Sequence, residues 1–198
     1  MVSRVVAVSL LVVAAAWSGS FEIAGKVTEF WPENTFLVRV PEGTARLWVT
    51  IPSRTQIRMT VEHAGKKTEP VRMTENGPLE LADSGDFLVT MAWDSVDCAW
   101  SCQQWAGSEV LLKRVTGYAD TLFTFRFALA TEQDLEVWEF TYPHEATFIV
   151  RQSWPGAKGV EEQNLDDDTR VELIGGGAFD IEVDPVEGGG EFTATLVE

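Results

Sequence analysis

Cys98 and Cys102, in Asp97-Cys-Ala-Trp-Ser-Cys102, are the only cysteines in the 198-residue chain. In an oxidising compartment the chemistry open to such a pair is a disulfide. A straight strand would hold their Cα atoms about 13 Å apart at 3.3 Å per residue, beyond the reach of a disulfide. Pairing therefore predicts a loop here, and Gly188-Gly-Gly190 near the equivalent place of the second half fits one. Buried unpaired thiols are the alternative; two cysteines alone do not make a zinc site. Asp166-Asp167-Asp168, with Glu161 and Glu162 upstream, is the densest run of oxygen ligands. Calcium takes six to eight oxygens from such a loop, but the alternating acids of an EF-hand are missing. A solvated acidic turn is the competing reading.

Tryptophan is the other conspicuous resource, with eight in the chain. Trp31 and Trp154 each precede a proline in turn-like contexts, and Trp100 and Trp105 flank the cysteine stretch. Loop tryptophans can stack on sugar rings, so these four are the ligand-binding candidates; packing over a loop is the alternative. Trp48, Trp93 and Trp138 lie in alternating patterns that predict core positions. The two histidines, His63 and His144, stand in polar or turn contexts, and no nucleophile elbow, zinc-protease helix or phosphate loop is present. Scattered carboxylates could form a glycosidase pair, but in a chain with 31 acids that carries no information. No catalytic residues are assigned.

The elements that must position these residues read as β throughout. Thr35–Val40, Ala45–Ile51 and Thr55–Glu62 alternate apolar and polar residues between turns rich in Pro, Gly and Asn. Two stretches match in kind: Leu79–Met91 (LELADSGDFLVTM) and Val171–Val183 (VELIGGGAFDIEV). Leu81 matches Leu173, Gly85 Gly177, Phe87 Phe179 and Val89 Ile181, all 92 positions apart. Upstream, Ser108–Thr116 matches Phe21–Glu29, and Leu122–Phe127 matches Thr35–Val40, both near a spacing of 87. The chain is expected to be all-β, two tandem sandwiches over 21–107 and 108–198; one sandwich with each repeat supplying half is the alternative.

Phe36-Leu-Val-Arg-Val40, Pro41-Glu42-Gly43-Thr44, Leu47-x-Val49 and Gly85-Asp86-Phe87-Leu88-Val89 together resemble the bacterial pre-peptidase C-terminal (PPC) domain. The second copy keeps Phe123-x-Phe125-x-Phe127 and Gly177-Ala178-Phe179-x-Ile181, with Ala130-Thr131-Glu132 in place of the Pro-x-Gly-Thr turn. The resemblance implies an eight-stranded jelly-roll-like sandwich that is secreted and non-catalytic and that in some members binds calcium, polysaccharide or collagen. The family's Asp-x-Asp-Leu strand start is absent, its place taken by Thr55-Gln56-Ile57 or Ala146-Thr147-Phe148.

Residues 1–20 read as a signal peptide: Arg4, then an apolar Val5–Ala16, then small residues suited to cleavage. An uncleaved anchor is the alternative. The chain carries a net charge of −16, most of it in residues 108–198 with 19 acids against 6 bases. Such a surface repels nucleic acid and anionic lipid. The expectation is a secreted or periplasmic accessory protein, not an enzyme, that binds a protein or polysaccharide surface without inserting into a membrane after cleavage. It has no required cofactor, with calcium as the one open question. A structural envelope component without a small ligand, or a hydrolase using Asp/Glu, are the alternatives.

Overall fold

Alternation of apolar and polar side chains dictates strands with one face to be buried. The computed structural model describes residues 20–118, 123–129, 135–142, 146–153, 161–166, 169–174, 177–185 and 190–197, and among them every regular element is a strand. The first copy supplies β1 (Ser20–Val27), β2 (Glu33–Val40), β3 (Ala45–Thr50), β4 (Ile57–His63), β5 (Lys66–Lys67), β6 (Val71–Met73), β7 (Gly77–Leu81), β8 (Gly85–Trp93) and β9 (Cys98–Gln104). The second supplies β10 (Leu111–Tyr118), β11 (Phe123–Leu129), β12 (Leu135–Thr141), β13 (Ala146–Ser153), β14 (Glu161–Asp166), β15 (Thr169–Ile174), β16 (Gly177–Pro185) and β17 (Glu191–Val197).

Two sheets result. One has eight strands in the order β14-β13-β16-β11-β1-β9-β3-β7; the other has nine, β15-β12-β17-β10-β2-β8-β4-β5, with β6 also paired to β4. Within the first copy the orders β1-β9-β3-β7 and β2-β8-β4-β5 are those of a jelly roll. Exchanging each strand for its counterpart in the other copy converts one sheet's order into the other's, so the copies are related by a pseudo-twofold. They are also fused. β1 pairs with β11 and β2 with β10, making both sheets continuous across the seam. The expected boundary at 107/108 falls in the connection between β9 and β10.

The pairing corrects the expected repeat register. Ile23 lies opposite Phe125, and Val115 opposite Phe36. With Phe36 standing for Phe125, Ile23 corresponds to Val115, 92 positions on rather than 87. Trp100 to Phe192 and Cys102 to Ala194 keep the same spacing, while β2 maps onto β11 at 89. The cause is a bulge in β10 between Leu112 and Arg114. An extra residue flips the alternation, so Val110 and Leu112 are buried before it, and Val115 and Gly117 after it. Alternation alone aligned the wrong half of that strand.

The repeated motif does open each copy's longest strand. Gly85 (φ +120°) and Gly177 (φ +132°) both adopt backbone that only glycine takes without strain. A Cβ on Gly85 would also meet His63 Cε1 at 3.0 Å. Beyond these turns Phe87, Val89 and Met91, and Phe179 and Ile181, enter the common core. Each such side chain contributes about 1.5–3 kcal/mol on burial.

Candidate binding face

The cysteine stretch is not a loop. It is β9, and its inward positions are Cys98, Trp100 and Cys102, all buried. Paired on both sides by β1 and β3, the strand is held extended, so four residues separate the sulfurs too widely to bond. Both thiols are free, which corrects the expected disulfide. Burial raises the pKa of each; for Cys98 a hydrogen bond to Thr55 Oγ1 at 3.3 Å works against the shift.

Trp100 is also corrected, from loop ligand to core. Its Nε1 donates to Asn34 Oδ1 at 2.9 Å, and Asn34 is itself only 1% exposed. The bond joins β9 of one sheet to β2 of the other, and the Trp100 ring lies over Phe36. Trp138 is core, as expected. Trp48 is not: it alternates with buried Leu47 and Val49, so it points outward from β3, where Trp105 covers it with ring centroids 4.9 Å apart. Trp93 sits half-buried at the end of β8. Trp154, Asp167 and Asp168 lie outside the described residues, as do 1–19, and Asp166 is described only as the last position of β14.

Of the candidates, Trp105 is 38% exposed beside Trp48, and Trp31 is half-buried at the seam between the copies. The β1–β2 turn is fixed by Thr28, whose N–H donates to the Trp31 carbonyl at 2.9 Å and whose Oγ1 accepts the Trp31 N–H at 3.0 Å. Trp93 N–H then donates to the Pro32 carbonyl at 2.7 Å. So held, the Trp31 ring stacks on Tyr118 at 4.6 Å and 27°. Trp31 belongs to the first copy and Tyr118 to the second, so the seam builds this pair. Phe30, next in the turn, is 81% exposed.

Tyr118 was not legible as a site residue, because only the β2–β10 pairing carries it to Trp31. It stands on the outward face of β10, directly opposite Glu191 on β17. Burial, then the charge and hydrogen bond of Glu191, then the charge of Glu33, raise its pKa. The phenol stays protonated and donates its hydrogen to the Glu191 carboxylate.

At the other end of the sandwich His63 stacks on Phe87 at 4.1 Å and its Nδ1 lies 2.9 Å from the Asp86 carbonyl oxygen. Asp86 accepts two hydrogen bonds from Arg39, at 2.7 and 3.0 Å, which hold its carboxyl below the ordinary value. These contacts close on themselves. Among the described residues no three His, Cys, Asp or Glu side chains converge. At the place where the resemblance implies calcium ligands, Thr55 Oγ1 donates to the Pro52 carbonyl, and Gln56 Nε2 donates to the Asp94 carbonyl and Ser95 Oγ. Those residues do not fit a calcium site.

No known family pattern matches the sequence, and no curated protein matches it. Among solved structures it is similar to vicilin from Corylus avellana (hazelnut), with 6% identity and a TM-score of 0.24, covering 81% of this chain and 73% of that one. It is also similar to the Momordica charantia 7S globulin, with 8% identity and a TM-score of 0.26, covering 90% and 72%. At such scores neither likeness bears on the site.

Proposed function

We propose that this chain is a secreted or periplasmic, non-catalytic binding protein of the PPC-like kind, two jelly-roll units after a signal peptide, that recognises a polysaccharide or protein surface. The observation that carries this reading is the aromatic cluster at the seam. Phe30 in the open, and Trp31 stacked on Tyr118, place three aromatic rings on an acidic surface where solvation alone would favour charge. Tyr and Trp combine a broad apolar face with a polar tip, which suits recognition of partners that mix C–H and hydroxyl surface. At the opposite end Arg39 pairs with Asp86, and His63 stacks on Phe87 with its Nδ1 beside the Asp86 carbonyl.

The test is retention of the purified protein on a panel of insoluble polysaccharides and on immobilised collagen. Trp31→Ala combined with Phe30→Ala is expected to weaken retention at least about tenfold, or about 1.4 kcal/mol. Retention unchanged in that variant would overturn the reading of the site. Release of reducing ends from any polysaccharide by the wild-type protein would overturn its non-catalytic character.

A further inference from the structure

The outward face of the nine-stranded sheet carries a second feature, beside Tyr118. Read across six adjacent strands, from β4 through β8, β2, β10 and β17 to β12, one register row is Thr60, Thr90, Thr35, Thr116, Thr193 and Thr141. Thr60 faces Thr90, Thr90 faces Thr35, and Thr35 faces Thr116 across the seam; Thr116 then faces Thr193, and Thr193 faces Thr141. Five alternate with buried neighbours, and Thr60 lies between buried Met59 and partly buried Val61, so all six point outward; five are half-buried and Thr141 is exposed. At about 4.8 Å per strand the row runs about 24 Å. Thr116 Oγ1 and Thr193 Oγ1 lie 3.2 Å apart. Among the described residues the hydroxyls of Thr35, Thr60 and Thr90 make no hydrogen bond.

β-propensity favours threonine in strands, so the pseudo-twofold provides the control. The symmetry-related row of the eight-stranded sheet holds Ile149, Glu182, Thr124, Ala24, Ser101 and Thr50. Identical architecture does not produce the uniform row.

From this row and its neighbour Tyr118 we infer that the outward face of the nine-stranded sheet binds a single uncharged, extended polysaccharide chain laid across the strands. Each threonine offers a hydroxyl that both donates and accepts, with a methyl beside it. That pairing matches the alternating hydroxyl and C–H surface of a sugar ring, and an extended glycan advances by roughly one strand spacing per ring. Tyr118 follows Thr116 by two positions on the same face, so the Trp31–Tyr118 stack borders the middle of the row.

Charge selects against other polymers. The row is neutral and its flanking rows are mixed: Arg58, Glu33 and Glu191 on one side, Glu62, Arg114 and Glu139 on the other. A polyanion, or a second copy of this chain, would meet a net charge of −16. Shape selects further. Adjacent strands twist by about 20–25°, so over five steps the row turns through about 100–125°. A flexible chain can follow that path and a flat crystal face cannot.

This inference rests on the proposed binding function, and its test separates the two. Retention is measured on amorphous cellulose, amorphous chitin, microcrystalline cellulose and the polyanion alginate, at low and high salt. The wild-type protein is expected to bind an amorphous uncharged polymer, more weakly its crystalline form, with little salt dependence. Thr35→Val with Thr116→Val keeps the β-branched shape and removes two central hydroxyls; binding should fall at least about tenfold. Thr35→Ser with Thr116→Ser should restore most of it, and Thr50→Val on the other sheet should change nothing. If the valine pair binds as well as wild type while Trp31→Ala does not, the row is not the site, although the binding function stands. Capture by alginate alone, or by none of these polymers, would overturn the inference as well.

Discussion

Place by place, the pseudo-twofold sets Thr60 against Ile149, Thr90 against Glu182, Thr35 against Thr124 and Thr116 against Ala24. The neighbouring row of the eight-stranded sheet reads Glu22, Arg126, Asp180, Arg151, Glu162, with opposite signs facing each other at every step. Opposite charges in directly opposed register positions favour a sheet by about 0.2–1 kcal/mol per pair. The threonine row has no such internal partner for most of its hydroxyls. On the proposed reading, one duplicated unit carries a charged row on one face and a ligand-binding row on the other. The inner surfaces, by contrast, are alike, since both copies fill them with Phe, Val, Ile and Leu.

The largest effect expected is on what the two faces share. Trp100→Ala removes an inter-sheet side chain and strands Asn34 without its donor. It should cost about 3–5 kcal/mol in chemical denaturation and weaken both faces together; a loss below about 1 kcal/mol would mean that the sheets do not depend on this tie. Next, Asp180→Lys places like charges opposite Arg126 and Arg151. About 1 kcal/mol of stability should be lost and largely recovered at high salt, with polysaccharide retention unchanged. Lost retention would put the binding face on the wrong sheet.

A smaller change sharpens the contrast. Ala24→Thr, Ser101→Thr and Glu182→Thr would extend a threonine row on the eight-stranded sheet, and binding capacity per molecule should rise toward twofold by isothermal titration with a soluble glycan. Smallest is the Arg39–Asp86 pair, both side chains 44% exposed. Because Asp86 is held below its ordinary value of 3.8, the pair's contribution is present at neutral pH and lost as pH falls through that depressed value. At this exposure it amounts to less than about 1 kcal/mol. Asp86→Asn should therefore lower stability slightly at pH 7, and by less as acid protonates the wild-type carboxyl.

Strand content and the duplicated motif were legible because burial on one face imposes a period of two. Gly85 and Gly177 were legible because a positive φ admits little else. The cysteine stretch was misread through the expected disulfide: pairing Cys98 with Cys102 required a loop, although Cys98, Trp100 and Cys102 alternate and cysteine is among the residues most often buried. Trp48 was placed inside because its size outweighed its parity with Leu47 and Val49. The candidate face was invisible for a different reason. Its threonines come from six strands whose order in space, β4-β8-β2-β10-β17-β12, bears no relation to their order in the chain. The meeting of Trp31 with Tyr118 depends in the same way on the seam.

The most direct test is methyl NMR of the threonine-labelled protein titrated with cellohexaose and chitohexaose. The account predicts shifts at Thr35, Thr90, Thr116 and Thr193 with one of them, and none at Thr50. Shifts confined to the eight-stranded sheet, or none with either sugar, would contradict it.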